Sequence, residues 1–222
     1  MLRQVDTTRS SNRRGRRSRA EILDAASRVM AERGYAATSI AVLSQETGLP
    51  KSAIYHHFRS KAGLLSAVMA RGAHDFFEAM RAAHADAPED GSHRERLGWY
   101  LQRTAEVFIS RQDFLRLHLI LVMSAEAEET EVAELIDQVR TEGRALMHHM
   151  IASSFEAEGE RIAQAVADEL EYFGIAGFDG AFVGMQADPT RILSGQMSRL
   201  TDALAALGEA QVARLRGSHA AQ

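Results

Sequence analysis

With 222 residues, 45% of them hydrophobic and 25% charged, and a formal net charge of -4, the chain is long enough for one or two domains with a sizeable core. The absence of cysteine excludes disulfides, thiolate zinc sites and cysteine nucleophiles, and apolar runs of about five residues, such as Leu119 to Met123, fall far short of the ~20 that a membrane helix needs. Charge is unevenly spread: residues 1–61 carry 12 Lys+Arg against 5 Asp+Glu, a net of +7, while the remainder carries 14 against 25, a net of -11.

Such polarity suits a first quarter that meets a polyanion, the plainer alternative being a basic tail on an ordinary globule. Glu21, Asp24, Arg28, Glu32 and Arg33 break up any signal-peptide core. A cytoplasmic protein with no membrane partner is therefore expected.

In chain order the pattern is all-α, about nine helices, without sustained apolar/polar alternation or a hairpin turn. Residues 1–17 are polar and Arg-rich and read as a mobile arm. From Ser18, the face Ile22, Leu23, Ala26, Val29, Met30 marks a first helix that Gly34 stops. Thr38 and Ser39 are N-caps for a short second helix ending at Gly48, and Pro50 to His57 forms a short third. Ser60 caps a long fourth helix that runs to about residue 85, through Leu64, Leu65, Val68, Phe76 and Met80. A loop from Ala85 to Ser92 separates these from five more: one with Leu97, Leu101, Thr104 and Phe108; one with Phe114, Leu117 and Leu121; one from Val132 to Met150; one from Ile162 to Phe173; and a last with Ile192, Met197, Leu200, Leu204 and Leu207. Pro50, Pro88 and Pro189, the only prolines, all fall between helical stretches.

Two short helices joined by a tight turn can lay the second in a DNA major groove. In the third helix Ile54 and Phe58 anchor one side, leaving Lys51, Ser52, Tyr55 and His56 outward. The block Gly-Tyr-x-x-Thr-Ser-Ile at 34–40, Gly48, Ile-Tyr-His-His-Phe at 54–58 and Ser-Lys at 60 and 61 resembles the DNA-binding domain of the tetracycline-repressor (TetR/AcrR) family of bacterial regulators, over about residues 18–69. The resemblance implies phosphate contacts from Thr38, Ser39, Tyr55 and Lys61, and base-edge or backbone contacts from Lys51, Ser52, Ala53 and His56. A half-buried Tyr55 and a merely solvated Lys61 are the alternatives. Arg13, Arg14, Arg16, Arg17 and Arg19 fit a minor-groove arm or a solvated tail. Ser44, Thr47 and Gly63 depart from the usual residues of the family.

The resemblance also implies that residues 70–222 form a helical ligand-binding and dimerisation domain. Candidate ligand-lining residues are Tyr100, Thr104, Phe108, His118, Met147 and Phe173. His118, between Leu117 and Leu119, is equally a satisfied core histidine. Gly174, Gly177, Gly180 and Gly184 lie along one side of the eighth helix, consistent with a close helix contact or with an irregular segment. Glu126, Glu128, Glu129, Glu131 and Glu134 read as a solvated helix start rather than a metal site. With no P-loop, no Gly-x-Ser-x-Gly elbow and no His-x-x-x-His pair, neither catalysis nor a cofactor is expected. The expected function is a DNA-binding regulator, a repressor released from a palindromic double-stranded operator by an unknown small molecule, homodimeric through helices eight and nine. Rivals are a DNA-scaffolded interaction module without an inducer and an enzyme fused to a helix-turn-helix domain.

Overall fold

A computed structural model describes the backbone of residues 4–124 and 130–220, and the side chains of 15–124 and 132–217. Among the described residues there are nine α-helices and no strand: α1 Gln4–Ala37, α2 Ile40–Thr47, α3 Lys51–Phe58, α4 Lys61–Ala83, α5 His93–Ser110, α6 Gln112–Val122, α7 Thr130–Ser154, α8 Glu160–Ala187 and α9 Leu193–Ala220. A 3-10 turn, Glu156–Glu158, precedes α8.

The first helix starts at Gln4, not at Ser18. The segment expected to be a mobile arm is continuous with α1, and no proline interrupts it. Gly34 breaks the helix as expected: its φ of 78° and ψ of 163° lie where only glycine is comfortable.

Contacts gather the chain into two compact units, Met1–Phe76 with Arg111–Asp137, and Phe77–Ser110 with Gln138–Gln222. This division differs from a split after residue 69, since α6 packs on α1 and joins the first unit. The first core is built from Ile22, Leu23, Met30, Leu43, Ile54, Leu64 and Leu65, all at most 2% exposed. Gly72 lets α4 press against Phe114 of α6, whose ring atom would sit 2.5 Å from an added Cβ. In the second unit α9 packs on α5 and α8, around Leu97, Leu101, Phe155, Phe178, Phe182 and Leu204. Arg96, 6% exposed, is tied to Glu156 at 2.7 Å, which offsets the cost of burying its charge. Phe155 fills the space that Gly208 leaves on α9.

Candidate nucleic-acid interface

The turn between α2 and α3 is fixed by side chains that departed from the family pattern. Gly48 adopts a left-handed φ of 67° to end α2. The Ser44 hydroxyl donates to the Leu49 carbonyl at 2.7 Å, and the Leu49 N–H donates to Thr47 Oγ1 at 3.2 Å. Ser44 and Thr47 therefore satisfy backbone groups in the turn that small apolar residues would leave to water. Ser39 is the N-cap of α2, its hydroxyl accepting the Val42 N–H at 3.2 Å.

Thr38, expected at the phosphate, is 1% exposed, and its hydroxyl donates to the Gly34 carbonyl at 2.9 Å. Its side chain closes the end of α1 instead, and Ser39, which is exposed, marks the open end of α2.

Helix α3 starts behind Pro50 and buries Ile54 (0%) and Phe58 (6%). Because residues three and four apart share a helix face, those two anchors leave Lys51, Ser52, Tyr55 and His56 exposed on the outer side, with Tyr55 51% exposed. Ala53 is half-buried between the two faces. From Thr47 to His74 there is no Asp or Glu, while Lys51, Arg59, Lys61 and Arg71 supply positive charge.

Arg59 ends the helix with a φ of 60°, its N–H donating to the Tyr55 carbonyl. The Ser60 hydroxyl then accepts the Gly63 N–H at 2.9 Å to start α4. A Cβ on Gly63 would lie 2.6 Å from the Phe58 carbonyl oxygen, which is why a glycine replaces the acid usual there. Lys61 reaches back to α1: its Nζ donates to the Ala36 carbonyl at 3.0 Å and lies 4.2 Å from the centre of the Tyr35 ring. Arg16 and Arg17 are exposed on α1, Arg17 paired with Glu21 at 2.9 Å. The side chains of Arg13 and Arg14 lie outside the described residues, as do Glu126, Glu128, Glu129 and the side chain of Glu131.

In the second unit, Tyr100, Thr104, Phe108 and Met147 are all 9% exposed or less. Phe108 packs on Phe178 at 4.9 Å, and Met147 covers Gly174. Phe173, expected inside, is 45% exposed, because Gly174 and Leu170 take the inward positions of α8. His118 lies on α6 in the first unit, buried beside Phe114.

A residue that sequence reasoning missed is His84, just after α4. Its Nε2 is 3.1 Å from Thr104 Oγ1, and its ring meets Tyr100 edge-on at 5.2 Å. Burial pushes its imidazole down to about 4, against an opposing hydrogen bond to the Tyr100 backbone and with help from His149. It is a neutral hydrogen-bonding group at ordinary pH, and only its position at the end of an apolar face (Phe76, Met80) hinted at burial.

The α8 and α9 side chains also rotate differently from expectation. Met197 (0%), Leu200 (8%) and Leu204 (0%) belong to the subunit core, and Leu200 sits 2.5 Å from where a Gly177 Cβ would be. Gly180 and Gly184 face open space and line a groove of about 630 Å³ with Ala181, Ala187, Arg191 and Arg199.

Among the described residues, no helix is long and apolar enough to cross a membrane, and no group of three or more His, Cys, Asp or Glu could hold a metal ion. A profile of the family described as bacterial regulatory proteins, tetR family, matches residues 22–68. The chain is similar to the HTH-type transcriptional regulator TtgR of Pseudomonas putida, at 36% identity over 61 residues. That match spans 28% of this chain and only 29% of the relative.

Two solved structures resemble the fold at low identity. A putative transcriptional regulator from Pseudomonas aeruginosa PAO1 has a TM-score of 0.70 at 20% identity, covering 88% of this chain and 92% of that one. A putative transcriptional regulator from Saccharomonospora viridis, in complex with choline, has a TM-score of 0.68 at 21% identity, covering 84% and 94%. Over residues 22–68, its two short helices and the turn between them, the chain is similar in sequence to the tetR family of bacterial regulatory proteins.

Proposed function

We propose that this protein is a DNA-binding transcriptional regulator that acts as a homodimer on a palindromic operator, as a repressor released by a small molecule. The observation that carries the reading is the outer face of α3: Lys51, Ser52, Tyr55 and His56 are exposed together on a helix whose other side is anchored by Ile54 and Phe58, within a stretch free of acids. Each subunit would lay one α3 in a major groove, the two grooves about 35 Å apart. No catalytic step is part of this reading.

For the dimer, α8 offers an exposed stripe of Phe173, Ala176, Gly180, Val183 and Ala187, spaced alternately by three and four residues, and α9 with the residue before it offers Ile192, Gly195, Ala206 and Ala210. Seams of this spacing pack helix on helix, and the same patch on two copies makes a self-complementary contact.

For the effector, buried Tyr100, Thr104 and Met147 with half-buried His84 supply apolar walls and a few polar atoms. Coupling of ~1–3 kcal/mol between ligand and DNA suffices for a response. Choline, present in one solved neighbour, is a first probe. The near-complete burial of Tyr100, Thr104 and Met147 favours the rival without an inducer, and a thermal-shift screen of small molecules separates the two.

The test of DNA binding is selection of bound duplexes from a randomised pool, followed by titration of the winner and of a random duplex at several salt concentrations. Tyr55→Phe and Lys61→Ala are expected to weaken both titrations about equally, since phosphate contacts position without specifying. Enrichment of no sequence, or a loss confined to the selected duplex, would refute the corresponding part of the reading.

A further inference from the structure

Helix α3 ends in two adjacent histidines. His56 is exposed on the outer face and His57 half-buried on the flank, their rings edge to face at 5.4 Å. On that flank α1 contributes Arg19, whose guanidinium carbon lies 5.2 Å from the centre of the buried Phe58 ring. Arg19 is exposed and fixed by its helix and by the ring beneath it, so it is a preset cation beside α3 rather than part of a loose arm.

The charged surroundings of this corner are one-sided. From α1 the group acting on His57 is Arg19, and from α3 it is His56. Of the acids on the neighbouring helices, Glu46 of α2 pairs with Arg33 at 3.8 Å, Glu21 with Arg17, and Asp24 of α1 with Arg71 of α4 at 2.8 Å, while Glu32 of α1 is exposed. The start of α4 adds Lys61, and its first acid is Asp75. Burial first, then His56 and Arg19, hold the His57 imidazole below the ordinary histidine value. A nearby polyanion would offset the charge repulsions from His56 and Arg19 and favour the protonated ring.

We propose that Arg19 and His57 form a second phosphate-binding corner beside α3, and that His57 takes up a proton from solvent when that corner closes on a DNA strand. In the bound state an imidazolium N–H donates to a phosphate oxygen, and the proton added to the neutral ring comes from water. The complex then holds more protons than its separated parts, so affinity rises as pH falls. The rise begins at the histidine value of the complex and levels off below the depressed value of the free protein. This inference rests on the DNA-binding reading above.

The experiment is fluorescence anisotropy with a labelled mixed-sequence duplex at fixed ionic strength, across about pH 6 to 8, where histidine changes charge. The expected result for one proton is an affinity about three- to tenfold higher near pH 6 than near pH 7.5. His57→Gln flattens that slope, Arg19→Gln weakens binding at every pH, and His74→Gln, an exposed histidine on α4, leaves the slope unchanged. Melting curves at each pH establish that all variants remain folded. A pH-independent affinity, or a slope that survives in His57→Gln, overturns the proton uptake. Unchanged binding in folded Arg19→Gln overturns the corner. Absence of binding at every pH overturns the DNA-binding reading itself, and this proposal with it.

Discussion

Val183→Glu is the sharpest test of the proposed α8–α9 contact, because Val183 is 53% exposed in the subunit and sits mid-stripe on α8. Full burial of a valine stabilises by ~1.5–3 kcal/mol, so burying the remaining half contributes about 1 kcal/mol from each of two subunits. A glutamate there adds an effective desolvation cost of several kcal/mol per ion, and a symmetric contact contains two of them. The total is at least about 5 kcal/mol, a rise of about a thousandfold or more in the dimer dissociation constant. Sedimentation equilibrium measures it directly, with thermal unfolding as the control for the fold. Leu200→Glu is the contrast: it buries a charge in the subunit core beside Gly177 and is expected to unfold the protein. A Val183→Glu protein that remains dimeric at wild-type concentrations, or a Leu200→Glu protein that is a stable monomer, would refute the assignment of inward and outward faces.

Three further outcomes follow from the local geometry. Lys51→Ala should relax the preference at one base pair in each half-site by ~1–3 kcal/mol if the contact is bidentate; an unchanged preferred sequence after selection would confine Lys51 to the backbone. Gly63→Ala forces a Cβ to 2.6 Å from the Phe58 carbonyl, and the required shift should cost ~1–3 kcal/mol in denaturant unfolding and weaken DNA binding as the end of α3 moves. His84 binds protons less readily when folded than the ordinary value of 6.5 allows, down to about 4. The unfolded chain thus takes up protons first, and stability should fall as pH drops from 6.5 toward 4. Thermal unfolding of His84→Gln should show a shallower descent over that window.

The order and number of helices were legible because the signals that set them are local. Gly34 and Gly48 take positive φ where each helix stops, and Pro50 and Pro88 stand between helices. Local signals failed where two positions competed for one role. Thr38 and Ser39 are both N-cap residues, and only the burial of Thr38 against the end of α1 decides that Ser39 caps α2. The start of α1 is ambiguous for a related reason, since an Arg-rich polar segment without proline reads as a solvated arm by charge yet contains nothing that forbids continuing a helix.

Helix rotation was the hardest feature to read. Helices α8 and α9 are apolar on more than one side, so periodicity alone does not distinguish the face that packs within the subunit from the face left open. Phe173 and Leu200 carry the same hydrophobic signal in sequence, yet one is 45% exposed and the other 8%. The glycines resolve the ambiguity. Gly174 and Gly177 are each filled by a side chain of the same subunit, Met147 and Leu200, whereas Gly180 and Gly184, on the same helix, have nothing within reach of a Cβ.

That division along one helix also shapes what substitutions can reveal. At Gly177 an added side chain must displace Leu200, so loss of dimers there would follow from damage to the subunit and say nothing about its surface. At Gly180 the added side chain enters open space, and a folded monomer produced by Gly180→Leu would report only on what a second copy puts into the groove. The expected order is therefore a lower melting temperature for Gly177→Leu at any protein concentration, and an unchanged subunit fold with weakened self-association for Gly180→Leu, read by thermal unfolding and sedimentation together. Equal destabilisation of the fold by both would mean that the groove closes within the subunit in solution.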